Sequence, residues 1–458
     1  VGTQLDLTHQ VLEAEIESLS HDGRGVARID GKVFFIEDAL PGELVRFRRG
    51  RRRRSYETGK TVELLRRSHD RVEPPCEYFG VCGGCSLQHL AEHAQIDWKQ
   101  RQLAENLQKI AKTKPVVWLD SLAGPVWNYR RKARLGIRFV PKKGGTLVGF
   151  RERNKSYITS LQRCRVLDYR ISDLLPDLHS LVGGLSCHDR IPQIEVAVGQ
   201  EALSLVFRHL KDFSAADLDE LRHFAVDHDA QVYLQPQGLD SIHPLSPMLP
   251  EMLSYTLPAH GVRIRFGPTD FVQVNAGINN MLVDLAVSCL DPELHEHVLD
   301  LFCGVGNFTL PIARAAKRVI GVEGDRGLVD RARSNARENG LDNVEFTVAD
   351  LYRENPDGDW LRRNYDKILL DPPRTGAIDL VKHLDRLAPS RVVYISCNPA
   401  TLARDAEVMV HKLGFTLSKA GVINMFPHTN HVESIAVFDR SAPAGWPAST
   451  ALDGQDAF

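Results

Sequence analysis

Cysteine is scarce, with eight in 458 residues, which excludes a disulfide-stapled secreted scaffold. Long apolar runs are missing as well. No stretch reaches the ~18 consecutive apolar residues of a membrane helix, and the opening VGTQLDLTHQ has no basic start leading into an apolar segment. The chain is therefore expected in the cytoplasm, with no membrane and no obligate protein partner inferred. No internal repeat is visible, which excludes a solenoid. Aromatic residues make up only 7%, yet 43% hydrophobic and 25% charged residues match ordinary globular usage and exclude wholesale disorder or a coiled-coil rod. At about 100 to 200 residues per domain, the length predicts two to four domains.

Net charge is nearly absent at -2, but the balance is uneven along the chain. Residues 1–170 carry 32 Lys+Arg against 20 Asp+Glu, leaving 25 against 39 for residues 171–458. A basic front half meeting a polyanion is the reading this asymmetry suggests, against the plainer one of a solvated charged surface. Residues 1–70 read as an OB-like β barrel of about five short strands, with Leu12, Ala14 and Ile16 alternating with glutamates and turns at Gly23, Gly25 and Pro41-Gly42. Seven of the nine residues from Arg46 to Arg54 are arginine, a cluster suited to neutralising phosphates, or else a solvated loop between strands. A second basic segment, Trp127 to Arg134, sets aromatic rings beside Arg130 and Arg134. Its rings could stack on unpaired bases while the arginines hold the backbone, or could be ordinary core.

Residues 71–265 mix helical and strand patterns and are expected to form a central α/β domain. Leu103, Leu107 and Ile110 mark one face of a helix there. Cys76, Cys82 and Cys85 follow a C-x5-C-x2-C spacing on a glycine-rich loop, and soft thiolates select zinc or an iron-sulfur cluster. A fourth ligand must come from afar, and Cys164, after a strand-like stretch, is the best placed. A [4Fe-4S] cluster is favoured; spacing alone leaves zinc open. Residues 441–458, rich in Pro, Ala, Gly and Ser, read as a disordered tail.

Residues 266–440 carry the pattern of a Rossmann-like domain. The strand Val298 to Leu301 runs into Gly304 and Gly306, and Glu323 ends the next strand 19 residues after Gly304, placed to accept from ribose hydroxyls. Asp350 ends a third strand, Asp371 a fourth, and Cys397 a fifth. The glycines depart from G-x-G-x-x-G, which points from a dinucleotide towards S-adenosylmethionine. Cys397 precedes Asn398-Pro399, a helix start whose dipole is expected to favour a thiolate able to add to C6 of a pyrimidine; the alternative is an inert core cysteine.

Asp371-Pro372-Pro373-Arg374, Ser396-Cys397-Asn398-Pro399, Phe271 to Asn275 and His431 to Ser434 together resemble the RNA uracil-5-methyltransferases over about residues 10–440. The barrel, which the family terms TRAM, and the four cysteines resemble its bacterial 23S ribosomal RNA branch. The resemblance implies 23S rRNA as partner and S-adenosylmethionine and a [4Fe-4S] cluster as cofactors. It implies Cys76, Cys82, Cys85 and Cys164 as cluster ligands, and Gln273, Phe302, Asn307, Glu323, Asp350 and Asp371 around the methyl donor. Cys397 would be the nucleophile and Glu433 the base, with Phe271 stacking near the flipped uracil. A radical S-adenosylmethionine enzyme fits poorly, because the spacing is not C-x3-C-x2-C and the donor signature lies about 220 residues beyond the thiols. An RNA-binding assembly factor with a vestigial methyltransferase domain is the other class considered, against which Cys397, Asp371 and Glu433 stand intact.

Overall fold

The computed structural model describes residues 10–246, 251–353 and 358–440, so the tail expected at 441–458 lies outside the described residues. At the N-terminus six strands form one sheet in the order Val11–Glu15, Leu44–Arg52, Tyr56–Arg66, Lys32–Glu37, Gly25–Ile29, Ser18–Leu19. About five strands were expected; the sixth is the two-residue Ser18–Leu19, too short to leave a pattern. Period-2 alternation puts Ala14, Phe34, Ile36, Val45 and Phe47 in a single core, where Phe34 and Phe47 meet edge to face at 5.5 Å.

The second sheet has seven strands in the order Ile158–Ser160, Gly145–Arg151, Lys132–Val140, Gln193–Val198, Leu203–Arg208, Ala230–Gln235, His243–Pro244. The helices Leu175–Gly184 and Ala215–Asp227 pack on it through Leu178, Val182, Leu221 and Phe224. Ser214 and Asp217 form a reciprocal cap at the start of the latter helix.

Eight strands build the C-terminal sheet: Val344–Val348, Arg318–Glu323, His297–Leu301, Lys367–Leu370, Arg391–Ser396, Glu433–Asp439, Thr416–Ile423 and Val117–Trp118. The first five run parallel, and Glu433–Asp439 is antiparallel to both its neighbours. Burial on both faces explains the unbroken apolar runs such as Ile368, Leu369 and Leu370, none of which is exposed. Strand order reverses between His297–Leu301 and Lys367–Leu370, and a ligand crevice opens beyond the strand ends at such a switch point.

Of residues 92–118, expected within a continuous 71–265 domain, Ala94 and Trp98 pack against the barrel's Leu19 and Leu40, and the stretch from Leu103 onward packs on this C-terminal sheet. The helix Glu92–Lys109 buries Leu103 and Leu107 among Leu402, Met409 and Val422, and Val117–Trp118 adds the sheet's edge strand. Its apolar spacing fixed which face of the helix is buried but not against which core. Ile110, expected on that face, caps the helix end and is 40% exposed.

Candidate active site

The strand ends converge on a cavity of about 840 Å³. At one end of it the Glu323 carboxylate is held by backbone: Gly304 N–H donates to Oε2 at 3.2 Å, and Gly324 and Asp325 N–H donate to Oε1 at 2.7 and 3.0 Å. A carboxylate fixed in this way presents its remaining lone pairs to a pair of vicinal hydroxyls. Gly304 and Gly306 both have positive φ, at 53° and 94°, so side chains at these turn positions would be strained. Phe302 also sits at φ 66°, an uncommon conformation for a bulky residue, at the sharp exit from its strand.

Gln273, Phe302, Asn307, Asp350 and Asp371 line the same cavity, and Phe271, 68% exposed, stands at its rim. Asn307 Oδ1 accepts from Tyr255 Oη at 2.8 Å and from Asn279 Nδ2 at 3.1 Å. The guanidinium of Arg131 lies 4.3 Å from the Tyr255 ring centre, and its Nε donates to the Gln273 carbonyl at 2.8 Å. Arg131, Tyr255 and Asn279 are thus part of the site although no motif marked them. An arginine within a basic run and a tyrosine on a hairpin gain these roles only through contacts across the fold.

Cys397 lies at the cavity's far side, just before the helix Pro399–His411, whose cap Asn398 accepts from Ala400 N–H. The expected helix start is present, but the expected low thiol pKa is not. Burial, with the Glu433 and Asp371 charges, pushes the thiol up to about 11. Desolvation outweighs the helix end here. Burial likewise lifts Asp371 to about 7. Glu433, 4% exposed, is raised well above the usual carboxylate range by burial and Asp371, while Arg374 and Lys99 pull it back. The Arg374 guanidinium contacts the His431 ring on the same wall.

A smaller cavity of about 250 Å³ is lined by Cys76, Cys82, Cys85 and Cys164 together. Arg130 and His431 line both this cavity and the larger one. Burial pushes the Cys82 and Cys85 thiols up to about 11 and about 12, each with a contribution from the neighbouring thiols. Among the described residues, no three His, Cys, Asp or Glu are gathered as a single metal ion requires, so no converged metal site stands behind the expected cluster.

Other expected RNA contacts divide. The rings of Trp127 and Tyr129 are not free to stack on bases: Trp127 lies 3.9 Å over His428, and buried Tyr129 donates to the Pro427 carbonyl. Arg134 does not join Arg130 at the cavity. It lines a separate groove of about 890 Å³ between the barrel and the central sheet, with Arg24, Arg138 and Arg151. The arginine run is strand and turn rather than a frayed loop. Arg46 pairs with Glu63, and Arg49 and Arg52 with Glu57, across the Leu44–Arg52 and Tyr56–Arg66 hairpin.

A profile of the tRNA (uracil-5-)-methyltransferase family matches residues 91–441, and one of the TRAM domain matches residues 7–48. The chain belongs to the RNA uracil-5-methyltransferase family. It is an S-adenosylmethionine-dependent enzyme of that family. Its similar relatives include the 23S rRNA (uracil(1939)-C(5))-methyltransferases RlmD of Aromatoleum aromaticum and Methylococcus capsulatus. The former is 51% identical over 93% of this chain and 99% of that protein, the latter 48% over 96% and 99%. The fold matches the crystal structure of Pyrococcus abyssi tRNA (uracil-54, C5)-methyltransferase in complex with S-adenosyl-L-homocysteine, with a TM-score of 0.71 at 23% identity, covering 93% of this chain and all of that one. Among the described residues of this family member, no helix is long and apolar enough to cross a membrane.

Proposed function

We propose that this methyltransferase modifies C5 of one uridine in 23S rRNA through a covalent bond between Cys397 and uracil C6. The observation that carries the reading is that Cys397, Glu433 and Asp371 share one cavity with the backbone-held Glu323 carboxylate. That carboxylate, with Gln273, Phe302, Asn307 and Asp350, would hold S-adenosylmethionine, which supplies an electrophilic methyl group. Uracil C5 is a poor nucleophile. Cys397 Sγ, once deprotonated, adds to C6 and pushes the C5–C6 π electrons towards O4, so that C5 becomes an enolate carbon able to take the methyl group. Glu433 then removes the C5 proton, and the returning electron pair expels Cys397. Exposed Phe271 and half-buried Arg130 would receive the uracil and its backbone once the base leaves its stack, a step costing a few kcal/mol.

Four thiols lining one cavity suit a [4Fe-4S] cluster better than a single zinc ion, which needs ligands converging on one point. Gly83 and Gly84 bring backbone against this loop: a Cβ at Gly83 would lie 2.8 Å from the Arg151 carbonyl, and Gly84 N–H donates to Cys82 Sγ at 3.4 Å. Bound there, a cluster would fix the loop under the RNA-facing groove that carries Arg134 and Arg138. We assign residues 1–70 to RNA contact, 71–265 to the thiol-bearing domain and 266–440 to the chemistry, with 103–118 contributed to the last. A substrate in ribosomal RNA supports a cytoplasmic location for the enzyme.

The covalent step is tested by comparing Cys397→Ala and Glu433→Gln on a denaturing gel with RNA and labelled methyl donor. Cys397→Ala should form no bond to RNA. Glu433→Gln should stall before the C5 proton leaves and accumulate a methylated protein-RNA band, because loss of a general base costs about 100- to 10,000-fold. A folded, RNA-binding Glu433→Gln enzyme that gives no band overturns the assignment of the base.

A further inference from the structure

Lys99 is completely buried in the helix Glu92–Lys109. Its Nζ donates to Asn424 Oδ1 at 2.8 Å and to the Phe426 carbonyl at 2.9 Å, and among the described residues no carboxylate lies within ion-pair distance of it. An ammonium buried in this way is costly, and a methionine would fill the same volume without that cost. The position of the charge accounts for its presence. Asn424 and Phe426 belong to the segment that leads into Glu433, and the Phe426 ring lines the catalytic cavity beside His431 at 5.3 Å. One turn earlier on the helix, Gln95 accepts from His428 N–H at 2.8 Å and holds the same segment.

We infer that Lys99 is a positioning residue for proton removal from C5: it fixes Asn424 and Phe426 from behind the cavity wall and sets a positive charge behind the Glu433 carboxyl. The inference rests on the reading of Glu433 as the base. Glu433 must be ionised to accept a proton, yet it is buried beside Asp371, and the cations that favour its carboxylate are Arg374 and Lys99. Cys397 also faces Glu433, and His428 and His431 face Lys99. Both histidines are held down at about 4, by burial with Lys99 for His428 and by burial with Arg374 for His431, so neither titrates near neutrality. The Lys99 ammonium is itself pushed down to about 7 by burial against the opposing pull of Glu433, so its charge is most complete on the acid side of neutrality.

The test measures tritium release from 5-tritiated uridine RNA against pH for wild type, Lys99→Met and Lys99→Arg, with S-adenosylmethionine affinity and Tm alongside. Removing the charge should move the rising, acid-side limb of Lys99→Met about one unit to higher pH, which lowers the rate at pH 7 about tenfold. Affinity for the methyl donor should stay within about twofold, and Lys99→Arg should recover part of the loss. If Lys99→Met does not fold, Asn424→Asp serves in its place, since a carboxylate beside the ammonium should shift the limb the same way. An unshifted limb in a folded variant, or a loss of donor affinity equal to the loss in rate, overturns the inference. Glu433→Gln separates the two claims: without a trapped adduct in that variant the base assignment fails, whereas a trapped adduct with an unshifted Lys99 limb refutes only the role of Lys99.

Discussion

The side-chain amides of Asn307 and Asn279 donate to each other, Nδ2 to Oδ1 in both directions, at 3.0 and 3.1 Å. Asn279 is fully buried, so the pair fixes which way the Asn307 amide faces in the cavity. Replacing Asn279 with Ala leaves the half-buried Asn307 Nδ2 without this acceptor, which costs about 0.5 to 1.5 kcal/mol. S-adenosylmethionine binding by calorimetry should weaken about tenfold, the equivalent of ~1.4 kcal/mol, while Cys397 remains available to alkylating agents.

Asp300 is fully buried beneath the cavity, bonded to Thr309 through Oδ2 and unpartnered at Oδ1, and burial lifts it to about 7. A carboxyl raised in the fold contributes stability below its unfolded pKa near 4 and loses that contribution as pH rises towards 7. Asp371 behaves the same way. Asp300→Asn should therefore leave Tm close to wild type at pH 4 and gain steadily on wild type from pH 4 to 7, at about 1.4 kcal/mol per pH unit, with little further gain above pH 7. A constant Tm difference across that range would show that Asp300 is ionised in the fold.

In the arginine run, the paired and unpaired members should behave differently. Arg49→Ala deprives buried Glu57 of a 2.7 Å partner while Lys32 stays at 2.7 Å, and should lower barrel stability by about 1.5 to 3 kcal/mol, as loss of a hydrogen bond to a charged group does. Replacing Arg48, Arg51, Arg53 and Arg54 should leave Tm unchanged and flatten the salt dependence of RNA binding by about 0.7 to 0.9 in log-log slope per lost phosphate contact. An unchanged slope would make the run a solvated surface.

For the thiol cavity, anaerobically purified protein should be brown, with iron and acid-labile sulfide in near-equal amounts, and Cys164→Ser should lose both. Colourless protein with stoichiometric zinc would refute the cluster assignment.

How much could be read from the sequence depended on how local each cause is. Buried parallel strands write themselves as apolar runs ending in a polar residue, so Glu323, Asp350, Asp371 and Cys397 could be placed at a common edge before any coordinates. Lys99, Arg131, Tyr255 and Asn279 left no such trace, because each acts on a residue more than 25 positions away. The high pKa of the Cys397 thiol is hidden from the sequence for a related reason. A helix start is visible in Asn398-Pro399, whereas the buried acids that oppose it come from other strands. Arg134 lies apart from Arg130 because its strand carries it to the barrel groove, a separation that nearness in sequence does not reveal.

The edge strand Val117–Trp118 pairs with Lys419 and Ala420, which follow it by about 300 residues. During synthesis the helix Glu92–Lys109 and this strand must therefore wait, with Leu103 and Leu107 uncovered, until the segment 399–423 has emerged. The catalytic layer cannot close domain by domain in the order of translation. A nascent chain halted before residue 399 should show a protease-sensitive Glu92–Lys109 helix beside an already protected barrel.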